Sequence, residues 1–249
     1  MALVTMKELL ERAKSNYRGI GAFSVGNMEM VKGAIQAAEE LDTPIILQIA
    51  EVRLKHSPLA LMGPMMVQAA KEAKVDVAVH LDHGLTMETV EKALELGFTS
   101  VMFDSSTYPF EENIERTVKI VELAKKYGAT VEAELGLVGG SEDGSEDHGI
   151  RCTNPDDAKI FVERTGIDHG GSGITDADFR KAIELGIVKV NIATASFNRL
   201  TKHAEEYLKS EGAHNYFDLN LAMVQGTYEN VRHHIEVFNC EMPLDEVDA

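Results

Sequence analysis

The sequence predicts an α/β fold, and within that class a (β/α)8 barrel, from three observations. Short apolar segments alternate with amphipathic helical segments along most of the 249 residues. The apolar segments are continuous rather than alternating, which is typical of parallel strands buried on both faces. A loop–helix–strand unit also occurs twice, as HGLTMETV before KALELGFTSVMFD and as HGGSGITD before KAIELGIVKVNIA. A repeat with histidine at the same place in each copy favours a closed barrel over a doubly wound sheet, because both histidines would then lie at one rim.

The first predicted element is a helix over 5–15, where Thr5 and Glu8 have the spacing of a capping box. Six predicted strands follow, at 19–25, 44–50, 75–83, 99–105, 129–136 and 187–194. Further helices are predicted at 28–41, 59–73, 86–96, 110–127, 154–165 and 175–185. The part from about 195 to 238 has a helical pattern, and no linker marks a boundary. We therefore predict one barrel domain over 1–249 with C-terminal helices.

The predicted strand count is too low for a complete barrel, which needs eight. The predicted helix at 154–165 leads directly into HGGSG, with no apolar strand before His169. One strand–helix–strand unit needs about 30–40 residues. We therefore predict that such a unit is missing between Asp168 and His169.

Charge and cysteine content restrict the partners. The chain has 41 acidic and 24 basic residues, a net charge of −17, which argues against nucleic acid or an anionic membrane as the main partner. Cys152 and Cys240 are too few for a disulfide framework or a thiolate metal site. No segment has the ~18 apolar residues of a membrane span, and no signal peptide is recognisable. The expectation is a cytoplasmic protein that holds any anionic substrate with local hydrogen-bond donors.

The strongest local signal is VAVHLDHG (77–84), where an apolar strand ends in His80, Asp82 and His83. At the carboxyl end of a barrel strand, imidazole beside carboxylate can supply a metal ligand and an acid–base group. A buried structural histidine with a helix-capping aspartate is the alternative. Three titratable groups within four residues favour the functional interpretation, although all three need not face a metal.

A second signal is the loop HGGSGIT (169–175). Backbone N–H groups of Gly170, Gly171 and Ser172 near a helix start could hold a phosphate without basic side chains. A plain loop would explain these residues equally well when they are taken alone. Asn191 and Thr194, at the end of the last predicted strand, add side-chain donors where such barrels bind phosphate.

Carboxylates supply a third group of candidates. Glu132 and Glu134 share one face of a predicted strand, and a carboxylate aimed at a barrel interior needs a metal or a donor. The acidic, Gly-rich segment 136–150 suits a lid that carries Glu142, although a solvated charge run explains it equally well. Asp104 is either a catalytic carboxylate or the cap of the next helix.

Five motifs, in this order, resemble the class II, metal-dependent ketose-bisphosphate aldolases. They are HLDHG (80–84), FDSS (103–106), EAELGLVGGSEDG (132–144), HGGSG (169–173) and KVNIAT (189–194). The resemblance extends from about residue 5 to residue 200. It implies a (β/α)8 barrel that reversibly cleaves a phosphorylated ketose to dihydroxyacetone phosphate and an aldehyde, through an enediolate stabilised by Zn²⁺.

The resemblance also implies roles for individual residues. Asp82 would exchange a proton with the C4 oxygen, and Glu142 with C3. His83 and His169 would be zinc ligands, with Glu134 as a supporting or alternative metal carboxylate. The phosphate and hydroxyl groups would be held by Gly170, Gly171, Ser172, Asn191, Ile192, Ala193 and Thr194. A monovalent cation (Na⁺ or K⁺) near the phosphate and a homodimer or homotetramer are further implications.

Two departures from the family pattern matter. The family's third zinc histidine has no counterpart between Asp168 and His169, so the 249-residue chain is expected to bind zinc weakly. The arginine that reaches the distal phosphate in fructose-bisphosphate aldolases is also absent from 209–225, and Arg53 is a speculative replacement. One alternative is a non-catalytic phosphosugar-binding barrel that has lost its metal site. A metal-dependent hydrolase is a weaker one, because it leaves the phosphate loop and Asn191 unexplained.

Overall fold

The computed structural model describes residues 2–16, 18–136, 155–167, 183 and 188–239. The strands in this part of the chain are β1 (Ile20–Ser24), β2 (Ile45–Ala50), β3 (Val77–Gly84), β4 (Ser100–Phe103), β5 (Thr130–Glu132) and β6 (Lys189–Ile192). The helices are α1 (Met6–Ser15), α2 (Met28–Glu40), α3 (Leu59–Glu72), α4 (Met87–Glu95), α5 (Phe110–Lys125), α6 (Pro155–Thr165), α7 (Thr194–Lys209) and α8 (Tyr216–Phe238). A short 3-10 helix, Glu51–Arg53, follows β2.

The strands form one parallel sheet in the order β5-β4-β3-β2-β1-β6. The last strand returns to the first, since β6 pairs with β1 with Asn191 opposite Ala22. In a (β/α)8 barrel the eighth strand closes the ring on the first in this way. Within the described residues β5 and β6 are the two edges, so the two strands short of eight belong between them. The predicted parallel α/β architecture, with one unit missing, is confirmed.

The strands are buried along most of their length, and β1, β2 and β4 are buried throughout. This burial is why their sequences are continuously apolar. Helix α1 starts at the predicted capping box of Thr5 and Glu8. Its apolar face packs with Ile20, Ile46 and Ala78, near the amino ends of β1 to β3. The helix therefore covers the barrel end opposite to the one that carries the candidate site.

The predicted end of β5 is corrected. Strand β5 ends at Glu132 rather than at residue 136, because its pairing with β4 stops where Glu132 lies opposite Met102. Helix α8 begins at Tyr216, because the side chain of Asn215 caps it by accepting a hydrogen bond from the backbone N–H of Asp218. Most of the predicted helix at 175–185 lies outside the described residues. Across the described ranges, no helix has the length and apolarity needed to cross a membrane.

Candidate metal and catalytic site

The inner face of the sheet carries polar side chains next to one another on adjacent strands. Gln48 of β2 lies opposite His80 of β3, and His80 lies opposite Ser100 of β4. Asp82 follows His80 by two residues, so both project to the same face of β3. Gln48, His80, Asp82 and Ser100 are fully buried.

His80 belongs to a buried network that lies across the sheet interior. Its Nδ1 is 2.9 Å from Ser100 Oγ, and its Nε2 is 3.2 Å from Glu132 Oε2. Lys189 Nζ, in turn, lies 2.8 Å from Glu132 Oε2 and donates to Asn191 Oδ1 at 2.6 Å. Buried charges are tolerated when they are paired and hydrogen-bonded in this way. His80 and Glu132 therefore have structural partners.

A covalent mechanism through a Schiff base would need a lysine at the carboxyl end of a barrel strand, and Lys189 is the lysine of this network. It lies at the first residue of β6, the amino end of a parallel strand, whereas barrel active sites lie at the carboxyl ends. Its Nζ is engaged by Glu132 and Asn191. This position argues against a Schiff-base mechanism.

Asp82 lies on the inner face of the sheet, near the carboxyl end of β3. Its Oδ2 accepts a hydrogen bond from Gln48 Nε2 at 3.1 Å. Its Oδ1 lies 3.8 Å from His80 Nε2 and, within the described residues, has no hydrogen-bond donor. A buried carboxylate oxygen without a donor is costly, and a catalytic role or a bound ion is among the explanations for it.

The neighbouring His83 forms a compact cluster with Asp104, which follows β4, and Glu134, which follows β5. His83 Nδ1 lies 3.0 Å from Asp104 Oδ2 and 3.9 Å from Glu134 Oε2. One potential ligand atom from each of the three lies within 4.8 Å of the others. A set of one imidazole nitrogen and two carboxylate oxygens suits a divalent cation such as Zn²⁺. The described residues therefore contain a possible metal site.

Asp104 does not cap the next helix, which was one of the two roles predicted for it. Helix α5 begins at Phe110, with Pro109 in the cap position. Asp104 Oδ1 instead accepts hydrogen bonds from the backbone N–H and the hydroxyl of Ser106, at 3.1 and 2.7 Å. Its Oδ2 faces His83 Nδ1. Such a carboxylate fixes the imidazole tautomer and leaves Nε2 available to a metal.

The negative charge of the cluster affects its protonation. Burial opposes the charged imidazolium, but the hydrogen bond to Asp104 and the charges of Asp82, Asp104 and Glu134 outweigh it and raise the pKa of His83 to about 9. Burial alone would raise the pKa of Asp104, yet the hydrogen bonds from His83 and Ser106 keep it below its ordinary value. The negative electrostatic potential of this site favours the binding of a cation.

The predicted phosphate residues are described in part. Asn191 and Ile192 end β6, and Thr194 is the first residue of α7. Ala193, the N-cap residue of this helix, provides no capping side chain. Because α7 begins directly after β6, its uncapped amino end lies at the carboxyl end of that strand. Glu142, His169, Gly170, Gly171 and Ser172 lie outside the described residues.

Gln48 was missed at the sequence level although a signal for it exists. It is the one polar residue in the apolar segment PIILQIA (44–50). Beyond its bond to Asp82, its Nε2 donates to Ser24 Oγ at 3.2 Å. Its Oε1 has no hydrogen-bond partner within the described residues, so it could accept a hydrogen bond from a ligand hydroxyl.

Known proteins with similar sequences and folds are described as aldolases. A family model described as class-II fructose-bisphosphate aldolase matches residues 4–168 and 169–242. A probable fructose-bisphosphate aldolase of Bacillus subtilis is 37% identical over 251 aligned positions, covering 85% of this chain and 88% of that protein. A fructose-bisphosphate aldolase of Thermus caldophilus is 47% identical over 169 residues, covering 67% of this chain and 55% of that protein. The crystal structure of the YdjI aldolase from Escherichia coli K12 superimposes with a TM-score of 0.85 at 30% identity, covering 95% of this chain and 97% of that one.

The same alignments locate the missing unit. The family model matches in two segments that meet between residues 168 and 169. The Bacillus subtilis alignment has 251 positions but includes 85% of the 249 residues, which is about 212, so about 40 positions of that protein have no counterpart here. A strand–helix–strand unit of roughly 30–40 residues has this length.

Proposed function

This chain belongs to the class II fructose-bisphosphate aldolase family, and from that membership and the geometry of the site we propose that it catalyses reversible aldol cleavage of a phosphorylated ketose. The products would be dihydroxyacetone phosphate and an aldehyde. The observation that carries the proposal is Asp82, a fully buried carboxylate with one oxygen unengaged within the described residues, next in sequence to the metal-binding candidate His83. An acid–base group beside a cation is what this cleavage needs.

A divalent metal fits the cluster described above. His83 would bind it through Nε2, with Glu134 as a carboxylate ligand and Asp104 holding the imidazole. His169, outside the described residues, would provide a second histidine, as the family pattern implies. When bound, Zn²⁺ supplies positive charge beside the ketose oxygens, where an electron pair develops.

The protein's own residues would move the protons. Asp82 accepts the proton of the C4 hydroxyl, the O–H electrons form the new carbonyl, and the C3–C4 bond breaks, leaving its electron pair on C3. Gln48 holds Asp82 Oδ2, which keeps the carboxylate oriented while Oδ1 faces the reacting hydroxyl. Glu142 would then return a proton to C3.

The phosphate would bind at the amino end of α7, which has no side-chain cap. Unpaired N–H groups at a helix start bind anions without net positive charge, which an acidic protein needs for an anionic substrate. Asn191, Ile192, Ala193 and Thr194 would contribute to this site, and Gly170, Gly171 and Ser172 would complete it. A monovalent cation beside the phosphate, a homo-oligomer and a cytoplasmic location also belong to this proposal.

The test uses the Asp82→Asn variant with the exposed Asp157→Asn as its control. Cleavage of fructose and tagatose bisphosphates is assayed with added Zn²⁺, and again after chelation. We expect Asp82→Asn to lower kcat at least ~100-fold, the usual contribution of a general base, and Asp157→Asn to behave as wild type. Chelation should abolish activity and Zn²⁺ should restore it. Activity that persists in chelator and is trapped by borohydride would contradict the proposal.

A lengthened variant addresses the missing unit. Inserting the corresponding segment of about 40 residues from the Bacillus subtilis relative between Asp168 and His169 should supply the third histidine and increase zinc affinity and kcat. A non-catalytic phosphosugar-binding barrel predicts phosphosugar binding without cleavage before and after the insertion. The two functions are therefore separable in one experiment.

A further inference from the structure

Glu51, at the first position of the 3-10 helix after β2, accepts four hydrogen bonds from the segment that follows β3. Its Oε2 accepts from the backbone N–H groups of Leu85 at 2.6 Å and Thr86 at 3.1 Å. Its Oε1 accepts from the hydroxyls of Thr86 at 3.0 Å and Thr89 at 2.8 Å. One carboxylate thus connects the end of β2 to the turn between β3 and α4.

This turn begins at His83, whose backbone is strained. His83 has a φ of 41°, in the left-handed region that residues other than glycine rarely adopt. Such a conformation persists only where surrounding contacts hold it. On the β4 side, Asp104 N donates to Gly84 O at 2.8 Å and Asp104 Oδ2 faces His83 Nδ1. On the β2 side, the hydrogen bonds to Glu51 hold the segment that follows His83.

Helix capping does not account for Glu51. The N-cap residue of α4 is Thr86, whose hydroxyl already accepts from Thr89 N at 3.2 Å. The two N–H groups that Glu51 binds belong to Leu85 and Thr86, which precede the first helical residue, Met87. Three of its four bonds therefore go to the turn, and the fourth, from the Thr89 hydroxyl, ties the turn to the start of α4.

We propose that Glu51 is a positioning residue that holds the turn after His83, so that the imidazole Nε2 is presented to the metal. The inference rests on the proposed function, since it assigns His83 as a ligand. It adds a residue that acts through three hydrogen bonds to the turn and one to the Thr89 hydroxyl of α4, without touching the metal or the substrate.

The test compares Glu51→Ala and Glu51→Gln with Glu88→Gln in the full chain. Glu88 is exposed in the first turn of α4, so its substitution removes the same charge from this helix start without breaking the Glu51 contacts. Zn²⁺ affinity is measured by chelator competition, the site geometry by the visible spectrum of the Co²⁺ form, and the turn by hydrogen exchange at Leu85 and Thr86. Unfolding midpoints identify variants that do not fold.

We expect Glu51→Ala to weaken Zn²⁺ binding roughly ten-fold, the lower end for residues that orient metal ligands, to alter the Co²⁺ spectrum and to accelerate exchange at Leu85 and Thr86. Glu51→Gln should lose less, because its amide oxygen can still accept from the two N–H groups. Glu88→Gln should match wild type. In activity assays kcat should fall with little change in KM.

Wild-type Zn²⁺ affinity and spectrum in a folded Glu51→Ala, or an equal loss in Glu88→Gln, would overturn the inference. If wild type itself binds no Zn²⁺, the proposed function fails, and hydrogen exchange alone then tests whether Glu51 holds the turn. Unchanged hydrogen exchange at Leu85 and Thr86 in both Glu51 variants would show that it does not.

Discussion

Lys189 Nζ lies 2.8 Å from Glu132 Oε2 although β6 and β5, which carry these residues, are not neighbours in the sheet. Both side chains are almost completely buried. In the described part of the chain these strands are the two edges of the sheet. The ion pair therefore joins the two edges between which a complete barrel would have two more strands. His80 of β3 joins the same network through Glu132.

The first prediction concerns this pair. Lys189→Met leaves Glu132 buried beside fewer donors, and we expect the free energy of unfolding to fall by about 3–5 kcal/mol. The double variant Lys189→Met with Glu132→Gln should lose clearly less, because no buried charge is then left uncompensated. Urea unfolding of the two single variants and the double variant measures the coupling. Additive losses would mean that the two side chains do not interact.

The second prediction concerns Asp104. Asp104→Asn removes the charged partner of His83 Nδ1, so the imidazole loses its fixed tautomer, and we expect Zn²⁺ affinity to fall roughly 10–100-fold. Ser106→Ala, which removes only one hydrogen bond to Asp104 Oδ1, should produce a smaller loss. Calorimetric titration or chelator competition would measure both. Equal affinities for wild type and Asp104→Asn would rule out this orienting role.

The third prediction is a pH dependence of stability in the chelator-treated protein. The pKa of His83 is raised from 6.5 to about 9, so its protonated form stabilises the fold fully below about pH 6.5, and this stabilisation is lost as the pH rises through about 9. The shift corresponds to about 3 kcal/mol. For Asp104 the sign is opposite: its lowered pKa contributes stability that is lost as the pH falls below its ordinary range.

His83→Gln is the reference for this measurement. The difference in unfolding free energy between wild type and His83→Gln should decrease from about pH 6 to about pH 10. Titration of the His83 ring protons by NMR should give a midpoint near the raised pKa of about 9 in wild type. A constant stability difference across this pH range would contradict the assignment of the shift to His83.

Much of the fold was predictable because buried parallel strands leave continuous apolar segments, and all six predicted strands are present. The position of the missing unit was also predictable, since no apolar segment precedes His169. The end of β5 was not, because it depends on where its pairing with β4 stops, at Met102 and Glu132. Strand lengths set by a neighbour are not encoded in the strand's own residues.

The site was predictable where one strand carries the signal, as in HLDHG. Contacts between site residues on different strands were harder to predict. Asp104 was recognised as a candidate, but its role depends on the 3.0 Å approach to His83, which follows from the adjacency of β3 and β4. Glu51 gave no signal, because its partners Leu85 and Thr86 are backbone donors whose positions only the fold defines.

The last prediction concerns Gly84, which follows His83 at the end of β3. A Cβ at this position would lie 2.5 Å from the backbone oxygen of Met102 and 3.0 Å from Val90 Cγ2. Because a strand backbone cannot move aside as a side-chain end can, Gly84→Ala must displace the turn, at a cost of about 1–3 kcal/mol in unfolding free energy. Since His83 moves with this turn, Zn²⁺ affinity should fall as well.

Gly26→Ala is the matched control, because a Cβ there meets Ser57 Oγ at an ordinary contact distance of 3.5 Å. We expect its unfolding free energy to stay close to that of wild type. Urea unfolding and chelator competition on both variants test the prediction. If Gly84→Ala keeps wild-type Zn²⁺ affinity while losing stability, the close approach of β3 and β4 at Gly84 serves packing alone and does not position His83.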